Sequence, residues 1–266
     1  MNRERRAVVR WTAAATIGAV GGGAGAVGSG AVVGDGAAER GESNAPDAND
    51  PTAATRAALQ QVDTELPPGV TLFDLNGDGS YTATVESGSD VRDDSHQNPI
   101  HVTSNGNSTV DYAASIAAPS GAPTLGSLGD LRYDYYEGAD NVNPDDGGGL
   151  APDETFLVVE NDDGRHGMYL TADDGSDPPG EEWRTFDVGA RLTGGDWLEY
   201  TDLESGYDGR RFGDVVGRFG EDALLVRVGV GHGDAVNPAT LDLYYDNLVV
   251  DGQSLGLPTS VVKRVA

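Results

Sequence analysis

Along residues 240–251, Leu241, Leu243 and Tyr245 alternate with Asp242, Tyr244 and Asp246. A period of two places one face of a β-strand against a core and leaves the other wet. A second block rich in Val and Leu, Ala223 to Gly233, lies just upstream, and the His232 to Pro238 cluster of Gly, Asp, Asn and Pro separates the two. That punctuation predicts two neighbouring antiparallel strands. The same language runs back to Val70: Val70 to Leu75, Tyr81 to Val85, Thr109 to Ile116, Leu131 to Tyr136, Thr155 to Glu160, Met168 to Ala172, Trp183 to Val188 and Trp197 to Thr201 are short β-forming runs between turn residues. Together they predict about ten strands, the mark of a double-sheet all-β domain. One stretch departs from it. Phe212, Val215, Val216 and Phe219 recur at helical spacing, which predicts a short helix.

The expected fold class is therefore all-β: an antiparallel jelly-roll β-sandwich with one short helix, occupying residues 67–254 and followed by a tail over 255–266. Residues 34–50 are polar and rich in small side chains, and read as a flexible linker. Asp50 and Pro51 would cap a short helix reaching Leu66, with Ala58, Leu59 and Val62 on one face.

The first 33 residues read as an export signal. Arg3, Arg5, Arg6 and Arg10 precede Trp11 to Val33, an Ala/Gly-rich stretch without charge. The Arg5–Arg6 pair followed by Ala7, Val8 and Val9 resembles the twin-arginine signal. A membrane anchor is the competing reading, but a stretch with Gly and Ala in place of Leu and Ile makes a poor spanning helix. The expected mature form is not membrane-spanning and is extracellular or held at the cell surface.

Charge narrows the partners. Asp and Glu number 44 against 17 Lys and Arg, for a formal net charge of -27, and Lys263 is the only lysine. Such a chain repels nucleic acid and anionic membranes. Carboxylate excess spread among aromatic and β-branched runs resembles proteins of extreme halophiles, where molar salt cuts the screening length to roughly 3 Å. Cysteine is absent, which excludes disulfides, thiolate metal sites and a cysteine nucleophile.

Five segments, Thr124 to Tyr136, Trp183 to Val188, Asp196 to Leu198, Leu225 to Gly233 and Tyr244 to Val250, follow the order of landmarks in secreted bacterial and archaeal jelly-roll modules. The chain resembles these modules, which are similar to carbohydrate-binding domains and end in an aromatic-Asp-Asn-aliphatic strand. The resemblance implies a glycan or a cell-envelope component as partner. It also implies a structural calcium held by Asp246 of the last strand against the N-terminal strand; a wet-face position for Asp246 is the alternative.

Candidate chemistry is sparse. Asp74, Asn76 and Asp78 with Gly79 match the opening of an EF-hand-type calcium loop, yet the twelfth position is Val85 and Glu86 comes one residue late. A plain Asp-Gly turn explains the same residues. Among the aromatics, Trp183 shares parity with Thr185 and Asp187, and Trp197 with Glu199, which aims both indoles away from the apolar face. Sugar rings lie on such aromatic planes, so Trp183, Trp197 and Tyr200, with Arg227 and His232 beside them, are the candidate ligand-binding residues; core packing is the competing role. His96, His101, His166 and His232 have no zinc spacing, and no nucleophile elbow or phosphate loop occurs. Asn107 heads a glycosylation sequon. The expected function is a non-catalytic carbohydrate-binding or surface-interaction module; a secreted lyase or hydrolase using His232, or a structural envelope protein, is the alternative.

Overall fold

The computed structural model describes residues 66–74, 77–104, 111–142, 149, 152, 154–171, 178–194, 200–202, 209–210, 212–233 and 240–265. The signal, the linker and the helix expected before Leu66 lie outside the described residues.

Two sheets account for most of the described chain. The larger has eight strands in the order β10 (Gly209–Arg210), β9 (Tyr200–Asp202), β7 (Gly164–Thr171), β6 (Glu154–Asn161), β11 (Leu224–Gly233), β4 (Asp111–Ala117), β1 (Gly69–Asp74) and β14 (Val261–Val265). The smaller has the order β2 (Thr84–Ser87), β3 (Ile100–Thr103), β12 (Asp242–Val250), β5 (Leu131–Glu137) and β8 (Trp183–Asp187), with β13 (Gln253–Leu255) also paired to β12. All pairings are antiparallel except that of β1 with β14.

Alternation builds the core. Leu131, Tyr133 and Tyr135 of β5 and Leu243 and Tyr245 of β12 point inward and are buried with Val70, Leu72, Leu157, Val159, Val228 and Val230 of the other sheet. Thr155 Oγ1 donates a hydrogen bond to Tyr133 Oη across the two layers at 3.3 Å, so a buried phenol keeps a partner. The larger sheet is apolar on its second face too: Phe73, Tyr112, Ala114, Ile116, Phe156 and Val158 are buried there with Leu66 and Val265.

That difference between the sheets corrects one expectation. β11 and β12 are not neighbours: β11 lies between β6 and β4, whereas β12 lies between β3 and β5. β11 is flanked by buried side chains on both faces, which suits an interior strand of the doubly covered sheet. β12 alternates apolar and polar residues, which suits the sheet that has its core on one face only. The segment expected to be a tail also differs, because β14 docks on β1 and buries Val265.

Two α-helices are described, α1 (Val188–Gly194) and α2 (Phe212–Phe219). The second is the expected one; it buries Val215 and Phe219, with Phe212 and Val216 packed beside the core. The first escapes a strand reading of Trp183 to Val188. Asp187 Oδ1 accepts the Ala190 N–H at 2.8 Å, which caps the helix and stops β8 there. Asp187→Ala is expected to cost about 1 kcal/mol in a urea melt, with little change of fold.

Candidate functional site

On the outer face of the five-stranded ladder, one row of register partners crosses every strand. Glu86 of β2 lies opposite His101 of β3, His101 opposite Tyr244 of β12, Tyr244 opposite Tyr136 of β5, and Tyr136 opposite Trp183 of β8. Strands roughly 4.8 Å apart therefore line up four rings in sequence. His101 stacks on Tyr244 with centroids 3.9 Å apart and planes 7° off parallel. Tyr244 meets Tyr136 edge to face at 5.7 Å, and Tyr136 meets Trp183 at 5.7 Å and 60°.

The segment between β2 and β3 folds back over this row. Gly88 lies directly on Tyr244; a Cβ there would stand 2.7 Å from the Tyr244 ring. A short 3-10 turn, Ser89–Val91, follows, and Val91 O accepts the Trp183 indole N–H at 3.1 Å. His96 then stacks on Trp183 at 3.9 Å and 7°. Its two ring nitrogens face carboxylates, Nδ1 against Asp93 Oδ1 at 2.9 Å and Nε2 against Asp134 Oδ2 at 3.2 Å.

A polar row runs beside the aromatic one. Asp246, Asp134 and Thr185 are register partners on β12, β5 and β8. Asp134 accepts Thr185 Oγ1 at 2.6 Å and Asn247 Nδ2 at 2.8 Å. Asn247 sits at a bulge in β12 with φ 53°, a left-handed conformation that Asn tolerates better than most residues. The bulge turns its amide toward Asp134.

Electrostatics fixes which groups carry charge. The His101 ring bonded to Asp242 Oδ1 at 2.8 Å holds the Asp242 carboxyl below its usual range; partial burial opposes this, and the Asp140 N–H reinforces it. Burial pushes the Tyr244 phenol well above its ordinary value, and the Asp242 charge adds to this. Tyr136 is raised in the same direction by burial and by Glu181 and Asp242. Neither phenol is a ready base at neutral pH.

A carboxyl lowered in the folded state contributes stability that is present above its unfolded value and lost as pH falls through the folded one. Melting temperatures of the native protein and Asp242→Asn should therefore differ at neutral pH and converge as pH drops below about 4. A constant gap down to strong acid would contradict this account.

Of the residues expected to bind ligand, only Trp183 stands in this row. Arg227 and His232 lie on β11 in the other sheet. His232 is not in a turn: β11 continues through Gly233, and His232 is buried at 3% exposure. Arg227 donates to Val226 O at 2.5 Å and is held below its ordinary range by burial, with Arg165 nearby adding to the shift. The Tyr200 backbone is in β9 of the larger sheet. Trp197, Asn76 and Asn107 lie outside the described residues.

Asp246 is on the outer face of the smaller sheet, where its Oδ2 accepts the Asn98 N–H at 3.1 Å, and β1 belongs to the other sheet. It is therefore not turned toward the N-terminal strand. Asp78 is exposed and accepts the Ser80 N–H at 2.8 Å. Among the described residues no group of three His, Cys, Asp or Glu converges as a metal site.

His101 and His96 were missed as site residues. The β3 run, Ile-His-Val-Thr after Pro99, is too short to stand out, and His96 reaches the row only through the loop that carries it. Tyr244 was visible in part, through its parity with Asp242 and Asp246. No family model, curated protein or solved structure matches the chain.

Proposed function

We propose that the protein is an exported, salt-adapted module, its two sheets wound as a jelly roll, that binds a glycan at the cell surface without catalysing its turnover. The observation that carries this reading is the row His101, Tyr244, Tyr136 and Trp183 across the outer face of one sheet. Tyr244 is buried under Gly88, whereas Tyr136 and Trp183 are half-buried, and their exposed ring surface offers apolar contact to the C–H faces of sugar rings while carboxylates in the adjoining row offer acceptors to hydroxyls.

Arg5 and Arg6 ahead of an uncharged stretch support export, and the carboxylate excess supports life in high salt. Among the described residues no helix is long and apolar enough to cross a membrane.

The test is retention on immobilised glycans in molar potassium chloride. The native protein should be retained on at least one neutral glycan without releasing new chain ends, and Tyr136→Ala should weaken retention about tenfold while keeping its circular dichroism. Absence of retention on every glycan, with the protein recovered in the envelope fraction, would favour a structural role instead.

A further inference from the structure

At one end of the larger sheet two acidic side chains stand side by side. Asp74 ends β1, Asp111 begins β4, and the two are direct register partners. Antiparallel partners carry their side chains on the same face, with Cβ atoms about 5 Å apart. Both residues are almost fully buried, at 2% and 4% exposure. Among the described residues neither is ion-paired with a lysine, arginine or histidine. Two like charges in that position are unfavourable unless one carboxyl holds a proton or a cation lies between them.

The hydrogen bonds around the pair leave one place open. Asp74 accepts the N–H groups of Gly77 at 2.8 Å, Asp78 at 3.2 Å and Gly79 at 2.7 Å, so these three backbone groups face its carboxylate. Asp111 Oδ2 accepts both the backbone N–H and, at 2.6 Å, the hydroxyl of Thr82, which turns Asp111 toward that same segment. Its other oxygen, Oδ1, is buried with no hydrogen-bond partner. A buried carboxylate oxygen without a donor is costly, and here it belongs to the second acid of a cross-strand pair.

The spacing of Asp74, Asp78 and Gly79 matches positions one, five and six of a calcium loop, and Gly79 takes the positive φ, 85°, that the sharp turn requires. What that pattern lacks is the acid of the twelfth position, where Val85 is instead committed to the core. We propose that Asp111 supplies the missing charge from the neighbouring strand, and that Asp74 and Asp111 together hold one calcium ion. Asp78 at the fifth position is exposed and accepts the Ser80 N–H, so the buried charge of the site rests on Asp74 and Asp111. Both carboxylates offer oxygen, the donor type that calcium takes.

The test uses the full chain, freed of divalent ions by chelator and held in molar potassium chloride so that ionic strength is constant. Calorimetric titration with calcium chloride should show one saturable site, and calcium at a hundredfold excess over Kd should raise Tm by about 5–10 °C. Asp111→Asn should abolish that site, while Asp246→Asn should keep it. Should Asp111→Asn fail to fold, terbium emission sensitised by Tyr81 in the native protein, displaced by calcium, reads the same site. An unchanged Tm with no saturable uptake would overturn the proposal, as would a folded Asp111→Asn that binds calcium like the native chain.

Discussion

Gly231→Val is expected to destabilise the protein by about 3 kcal/mol or more, the upper range for overpacking, although it adds only an apolar side chain to a strand. Gly229, Gly231 and Gly233 share one face of β11, the face turned to the second apolar cluster of the larger sheet. A Cβ at Gly231 would stand 2.7 Å from Phe156 Cε2 and 2.7 Å from Tyr112 Cε1. Those rings meet edge to face at 6.0 Å and 85°, and Tyr112 meets Phe73 in the same way at 6.0 Å. The bare strand is thus the floor on which Phe156 and Tyr112 pack, with Phe73 beside Tyr112. At Gly229 the obstacle is backbone, Ser115 O at 2.3 Å, which cannot rotate away.

The measurement is the urea midpoint at constant molar salt, with Gly217→Ala in parallel. Gly217 lies in α2 with nothing within 4 Å of its built Cβ, so alanine there should be neutral or stabilise by up to about 1 kcal/mol. Native-like stability of Gly231→Val would mean that the rings do not rest on the strand as described.

The glycines also show where sequence reasoning reaches and where it stops. The run Val228-Gly229-Val230-Gly231 declares a strand, and parity separates its faces, but nothing in it says that the glycine face is roofed by rings from β4 and β6. Parity likewise placed Trp183 on the outer face and Phe186 inside, as the structure has them. The spacing of Phe212, Val215, Val216 and Phe219 located α2 because helical periodicity is local.

Partnership is not local. Adjacent runs suggested that β11 and β12 pair, yet a connection between sheets and a hairpin can use the same turn residues. The aromatic row needed the register of five strands, and the meeting of Asp74 with Asp111 needed the register of two. Trp183, Arg227 and His232 looked alike as candidates because polarity on a strand does not reveal which sheet the strand joins.

On the proposed glycan-binding reading, Trp183→Ala is expected to lower affinity by about thirtyfold or more, the size of a binding hot spot, and to do so by two routes. The indole is the end ring of the row, so its removal takes away apolar contact surface beside Tyr136. It is also the anchor of the segment that covers the row: His96 stacks on it and Val91 O holds its N–H. Trp183→Phe separates the two contributions, since phenylalanine keeps a ring for His96 to stack on but loses the indole donor. Affinity near the native value in Trp183→Phe would assign the effect to the ring. A loss equal to that of alanine would assign it to the hydrogen bond that fixes Ser89–Val91. Native affinity in a folded Trp183→Ala would remove Trp183 from the site.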